Sequence, residues 1–153
     1  MARMAGRTAS AALLVTLLLA GCTKERERLP AACLTTPGAI QRALERAPAA
    51  VTLADGTRLS TCVSRARADT ELQTLGAALI GAADRLAARA ATDPAGPMRL
   101  GYLRGATRRG VESNRDLAAN LLRRIEQTTV LPRGSAAARA LLARGVDAGE
   151  AGG

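Results

Sequence analysis

The chain has 153 residues, 22 Lys and Arg against 13 Asp and Glu, a formal charge of +9, no histidine and a single aromatic, Tyr102. Without histidine a Ser-His-Asp triad and an HExxH zinc site are excluded, and the commonest general base and zinc ligand are missing. One aromatic cannot build a base-stacking platform, and no run of consecutive basic residues exceeds two, so no nucleic-acid partner is expected.

Arg3 and Arg7 precede an apolar run, residues 11–20, broken only by Thr16. The uncharged stretch around it, residues 8–23, has 16 residues, fewer than the roughly 20 that a spanning helix needs. The small pair Ala20-Gly21 then leads to Cys22, which completes the pattern of a secretory signal peptide. Ordinary cleavage of a plain secretory signal is the rival reading of the same residues. Leu18-Leu19-Ala20-Gly21-Cys22 resembles the lipobox of bacterial lipoproteins. That resemblance implies removal of residues 1–21, a diacylglycerol on the Cys22 sulfur and often an acyl group on the new amino end. Each buried methylene contributes about 0.8 kcal/mol, and two or more chains anchor stably where one does not. The implied location is a lipid-anchored one on the extracytoplasmic side of the cell membrane or on the outer membrane. Thr23 stands where an aspartate would favour inner-membrane retention in Gram-negative cells. Residues 22–30, short and mixed in charge, read as a tether.

Loss of the signal takes two arginines and no acids and leaves a charge of about +7. The basic residues are almost all arginine, as a GC-rich genome would supply. Cys33 and Cys62 are the cysteines left once lipid takes Cys22, and an even remainder in an exported chain predicts a disulfide. Closing a loop of their separation stabilises by about 3.5 kcal/mol. A redox role would call for Cys-x-x-Cys, which is absent.

Thr36-Pro37 predicts a helix start, a hydroxyl N-cap followed by proline, with Ile40, Ala43, Leu44 and Ala47 on one face and Pro48 as the stop. Residues 51–63 change period: Val51 and Leu53 alternate with polar neighbours, Asp55-Gly56 predicts a turn, and residues 59–63 predict a returning strand of a short β-hairpin. Asp69 is the expected cap of a helix over residues 69–91 with an apolar stripe at Leu72, Leu75, Leu79, Ala83 and Leu86. Residues 93–97, Asp-Pro-Ala-Gly-Pro, break the chain. A helix over residues 98–109 follows, closed by Gly110, and then one capped by Ser113 or Asn114 with Leu117, Leu121, Leu122 and Ile125 inward. Residues 135–144 predict one more short helix, and the glycine-rich residues 146–153 a disordered tail. The expected fold is mainly α: an antiparallel bundle of four to five helices with the hairpin at its amino end, in one domain over residues 31–145.

Within that fold, Arg104, Arg108, Arg109, Arg123 and Arg124 converge if the helices that carry them are antiparallel neighbours. Such a cluster suits phosphate or carboxylate groups of an envelope polymer or lipid headgroups; an ordinary charged exterior, partly neutralised by Glu112, Asp116 and Glu126, is the plainer reading. Tyr102 reads either as a ligand contact or as a core tyrosine with its hydroxyl at an edge. Gly101 and Gly105 predict close helix contact, since each glycine inside a helix costs about 1 kcal/mol against alanine. No cofactor and no metal is expected. The chain therefore reads as a membrane-anchored domain for binding or envelope structure without catalysis, with an arginine face for anionic polymer or lipid as the alternative. A carboxylate-based hydrolase and a component of a larger envelope assembly are the further classes.

Overall fold

Six α-helices and one 3-10 turn make up the regular structure of residues 28–130 and 135–153, the parts of the chain that the structure, a computed structural model, describes. The signal and Cys22 lie outside the described residues. The helices are α1 (Pro37–Leu44), α2 (Leu59–Arg65), α3 (Asp69–Arg89), α4 (Gly96–Glu112), α5 (Arg115–Thr128) and α6 (Ala136–Gly152). None is long and apolar enough to cross a membrane.

α1 begins as its composition dictates: Thr36 Oγ1 accepts the Ala39 N–H at 3.3 Å and proline occupies the first turn. Cys33, in the 3-10 turn Ala31–Cys33 just before it, is bonded to Cys62 of α2, with the Cα atoms 5.4 Å apart.

The expected hairpin is not formed. Asp55-Gly56 does turn the chain: Gly56 has φ +85°, the Thr57 N–H donates to Asp55 Oδ1 at 2.9 Å, and a single bridge joins Thr52 to Arg58. The returning leg, however, is helical, as α2. Leu59, Cys62 and Val63 stand three and four apart, so one helical face buries all three. An isolated two-stranded ribbon is marginal in water, whereas α2 seats directly on α4. Gly110 is the seat: a methyl there would lie 2.6 Å from the Ser60 carbonyl oxygen and against Val63. That is why α4 runs through Gly110 instead of stopping at it.

α3 starts with Asp69 inside the helix rather than as its cap; Glu71 reaches back to accept the N–H groups of Arg67 and Ala68 at 2.9 and 3.1 Å. Asn114 stands at the N-cap position of α5, but its side chain turns away to α2. Its amide donates to the carbonyls of Val63 and Ala66 at 3.0 and 2.7 Å, and its oxygen accepts from Arg67 at 3.3 Å. The buried amide thus closes the end of α2.

α3, α4 and α5 fold back and forth, so alternate helices run parallel. Gly76 lies beside Leu121 and Asp84 beside Thr128, which sets α3 parallel to α5. Gly101 faces Leu142 and Val146 while Gly105 faces Val146 and Glu150, which sets α4 parallel to α6. The core fills the space between these layers, with Leu44, Val63, Leu79, Leu100, Leu103 and Ile125 almost wholly buried. The side chains of Asp116 and Leu117 lie outside what is described.

The expected disordered tail is instead the second half of α6, which extends to Gly152 with Gly145 and Gly149 buried. Glycine weakens a free helix, but here it lets two backbones touch. A methyl on Gly145 would lie 2.9 Å from the Tyr102 nitrogen and one on Gly149 2.8 Å from the Ala106 nitrogen, and both would run into α4 carbonyls. Gly101 and Gly105 offer the same bare surface from the other side. Contacts of Cα–H with facing carbonyls become available at such an approach.

Candidate functional site

The five arginines singled out by sequence do not gather into one open site. Arg108, at the centre of the α4 surface, is held by Glu126 Oε1 at 3.1 Å and Glu150 Oε1 at 2.7 Å. Partial burial works against its charge, but the two carboxylates outweigh that and raise its pKa further above the usual guanidinium value. Arg104 contacts Glu126 at 3.4 Å, and its buried Nε has no hydrogen-bond partner among the described residues. Arg109 donates to the carbonyls of Glu150 and Ala151 at 2.5 and 2.8 Å, closing the C-terminal end of α6 with a cation, as the helix dipole favours. These three therefore tie α4 to α5 and α6. Arg123 turns along α5 to Asn120 at 2.9 Å, and Arg124 belongs to a different surface, described next.

Between α3 and α5 lies an open groove of about 550 Å³. Its floor is Leu72, Gly76, Ala77, Ile80 and Leu121, and its banks carry Gln73 and Asp84 on α3 and Asn120 and Arg124 on α5. The parallel run of these helices creates it, because Gly76 and Ala77 leave the α3 bank low where a larger residue would fill the gap. Asp84 accepts only a long contact from Thr128 Oγ1, 3.4 Å, and neither Asp84 nor Arg124 has an ion pair among the described residues. The groove holds one carboxylate, whereas hydrolysis by paired carboxylates needs two flanking the bond. Glu126 and Glu150 approach each other only through the Arg108 guanidinium and lie outside this groove.

A smaller polar cleft of about 270 Å³ sits where α2 meets α4, lined by Arg58, Thr61, Ser64, Arg109, Glu112 and Ser113 among others. Its Arg109 is already committed to α6, and it is lined by both a cation, Arg58, and a carboxylate, Glu112. No group of three or more His, Cys, Asp or Glu among the described residues is placed to hold a metal ion.

Tyr102 is fully buried, and its hydroxyl accepts the Val51 N–H at 3.0 Å. It is a core residue that pins the loop before α2 to α4, not a surface contact. The groove was not anticipated from sequence. The signal that could have located it is the small pair Gly76-Ala77 set between Leu72 and Ile80 on the α3 stripe.

Comparison with protein-family models, with curated proteins and with solved structures finds no match for this chain.

Proposed function

We propose that the protein is a lipid-anchored extracytoplasmic domain that binds or organises envelope components at its membrane without catalysis, with the α3–α5 groove as its recognition surface. The observation that carries this reading is the division of the three cysteines. Cys33 and Cys62 are joined in a bridge of the kind exported proteins keep, and the remaining cysteine, Cys22, follows Leu-Leu-Ala-Gly directly after an apolar run. The groove supports the binding half: it has an apolar floor and few polar groups at its rim, as recognition sites commonly do. The arginine-face alternative loses support from the engagement of Arg104, Arg108 and Arg109 by acids and helix carbonyls.

The test is intact mass, membrane fractionation and thiol labelling of the full-length protein beside Cys22→Ser. The proposal expects lipid mass, membrane association and no free thiol in the wild type, with lipid and membrane association both lost in the variant. An unlipidated, cytosolic wild type with three reactive thiols would overturn it.

A further inference from the structure

The two banks of the α3–α5 groove carry opposite charge, and they do so in a pattern that matches itself. Asp84 stands on α3 and Arg124 on α5, both exposed and lining the same groove. Thr128 is the α5 residue beside Asp84, so Arg124 lies one helical turn earlier, and no ion pair joins the two within the chain. Gln73 and Asn120 repeat the arrangement with amides, which can donate and accept in turn. The floor between them is apolar and, at Gly76 and Ala77, free of bulky side chains.

From these relationships we propose that this groove is where two copies of the chain meet, about a two-fold axis running along it. Such an axis sets α3 of one copy against α5 of the other, and α5 against α3, because every contact in a two-fold interface occurs twice with the roles exchanged. Asp84 then faces Arg124 of the second copy at both ends of the exchange, across a one-turn stagger that the long arginine side chain spans. Gln73 meets Asn120 of the second copy in the same way. Leu72, Ile80 and Leu121 come together at the centre as the core of a four-helix arrangement, and the flanking charges set its register. A ligand of one sign would leave one bank unsatisfied, whereas a second copy satisfies both. The inference rests on the groove as the recognition surface and is independent of lipid at Cys22.

The experiment uses the protein as the cell processes it, extracted in non-ionic detergent, with its mass measured by sedimentation velocity after correction for bound detergent. Wild type is expected to dimerise. Asp84→Arg and Arg124→Asp, each of which puts like charges face to face twice, are expected to weaken the dimer by at least about tenfold. The double variant Asp84→Arg with Arg124→Asp restores the pairing and is expected to recover it. Both positions are exposed, so unchanged far-UV circular dichroism confirms that folding is intact. In membranes, Ala77→Cys lies beside the axis and is expected to form a reducible dimer on oxidation. A monomeric wild type, or a dimer that the single charge reversals leave unchanged, overturns the proposal. A monomer in which Ala77→Cys is protected from thiol reagents in membranes and reactive after extraction also overturns it, while leaving the groove as a surface for some other component.

Discussion

Gly105 of α4 lies directly against the carbonyl of Val146 in α6, leaving no room for a methyl group between them. Gly76 on α3 is the useful contrast, because a methyl there would sit 3.6 Å from Leu121 Cδ1, an ordinary contact. Gly105→Ala is expected to destabilise by on the order of 2 kcal/mol, as overpacking outweighs the gain in helix propensity. Gly76→Ala is expected to be neutral or to stabilise by up to about 1 kcal/mol. Urea denaturation of both variants checks the opposite signs, and hydrogen exchange should place the Gly105→Ala effect in α6.

Tyr102 is the chain's only aromatic, so its emission reports unfolding without interference. In Tyr102→Phe the packing survives but the buried Val51 N–H loses its acceptor, at an expected cost of about 1–3 kcal/mol. Thermal unfolding followed by far-UV circular dichroism measures it. A variant as stable as wild type would show that water replaces the hydroxyl there.

Asn114→Ala removes two donors from the buried carbonyls of Val63 and Ala66. A loss of about 2–3 kcal/mol is expected. Asn114→Asp is expected to be worse at neutral pH, since it sets a carboxylate against the same two carbonyls although Arg67 remains beside it. The order of the two variants in denaturant midpoint is the check.

Stability is also expected to fall on acidification. The N–H groups of Arg67 and then Ala68 hold the Glu71 carboxyl below its ordinary value of 4.5, and the Thr57 N–H holds Asp55 below 3.8. A carboxyl whose pKa is lower folded than unfolded contributes stability above the unfolded value and loses it as pH falls through the folded one. Midpoints measured from about pH 5 downward should therefore decline, and Glu71→Gln should flatten that decline while lowering the plateau at neutral pH.

Much of the helical layout was legible because it rests on local chemistry. Thr36-Pro37, the break at residues 93–97 and Ser135 each mark a boundary that tertiary packing leaves alone. The disulfide followed from counting cysteines on the expectation that the chain is exported. Residues 59–63 were misread because Leu59, Cys62 and Val63 fit a short strand as well as one helical face, and the deciding partner, Gly110, is far along the chain. The last eight residues were misread for a related reason. Gly145, Gly149 and Gly153 repeat every fourth position, as Gly101 and Gly105 do, but propensity alone counts each one against a helix. Only the pairing of the two stripes turns them into an interface. The α3–α5 groove was invisible because it depends on two helices running parallel, a relation set by the whole topology. The arginines converged in part, but sequence spacing could not show that α6 would bring Glu150 and two carbonyls to meet them.

The seam between α4 and α6 is made largely of backbone, with Arg108 and Arg109 fastening one end, so its opening exposes peptide groups more than hydrocarbon. Apolar exposure raises heat capacity on unfolding and polar exposure lowers it. Detachment of α6, whose Leu142 and Ala148 also pack on the core, should thus carry a smaller heat-capacity signal than unfolding of the leucine-rich layers. The two parts of the molecule should then differ in their response to cold: hydrophobic layers loosen as temperature falls, and the glycine seam, held more by close backbone contact and by Arg108 and Arg109, changes less.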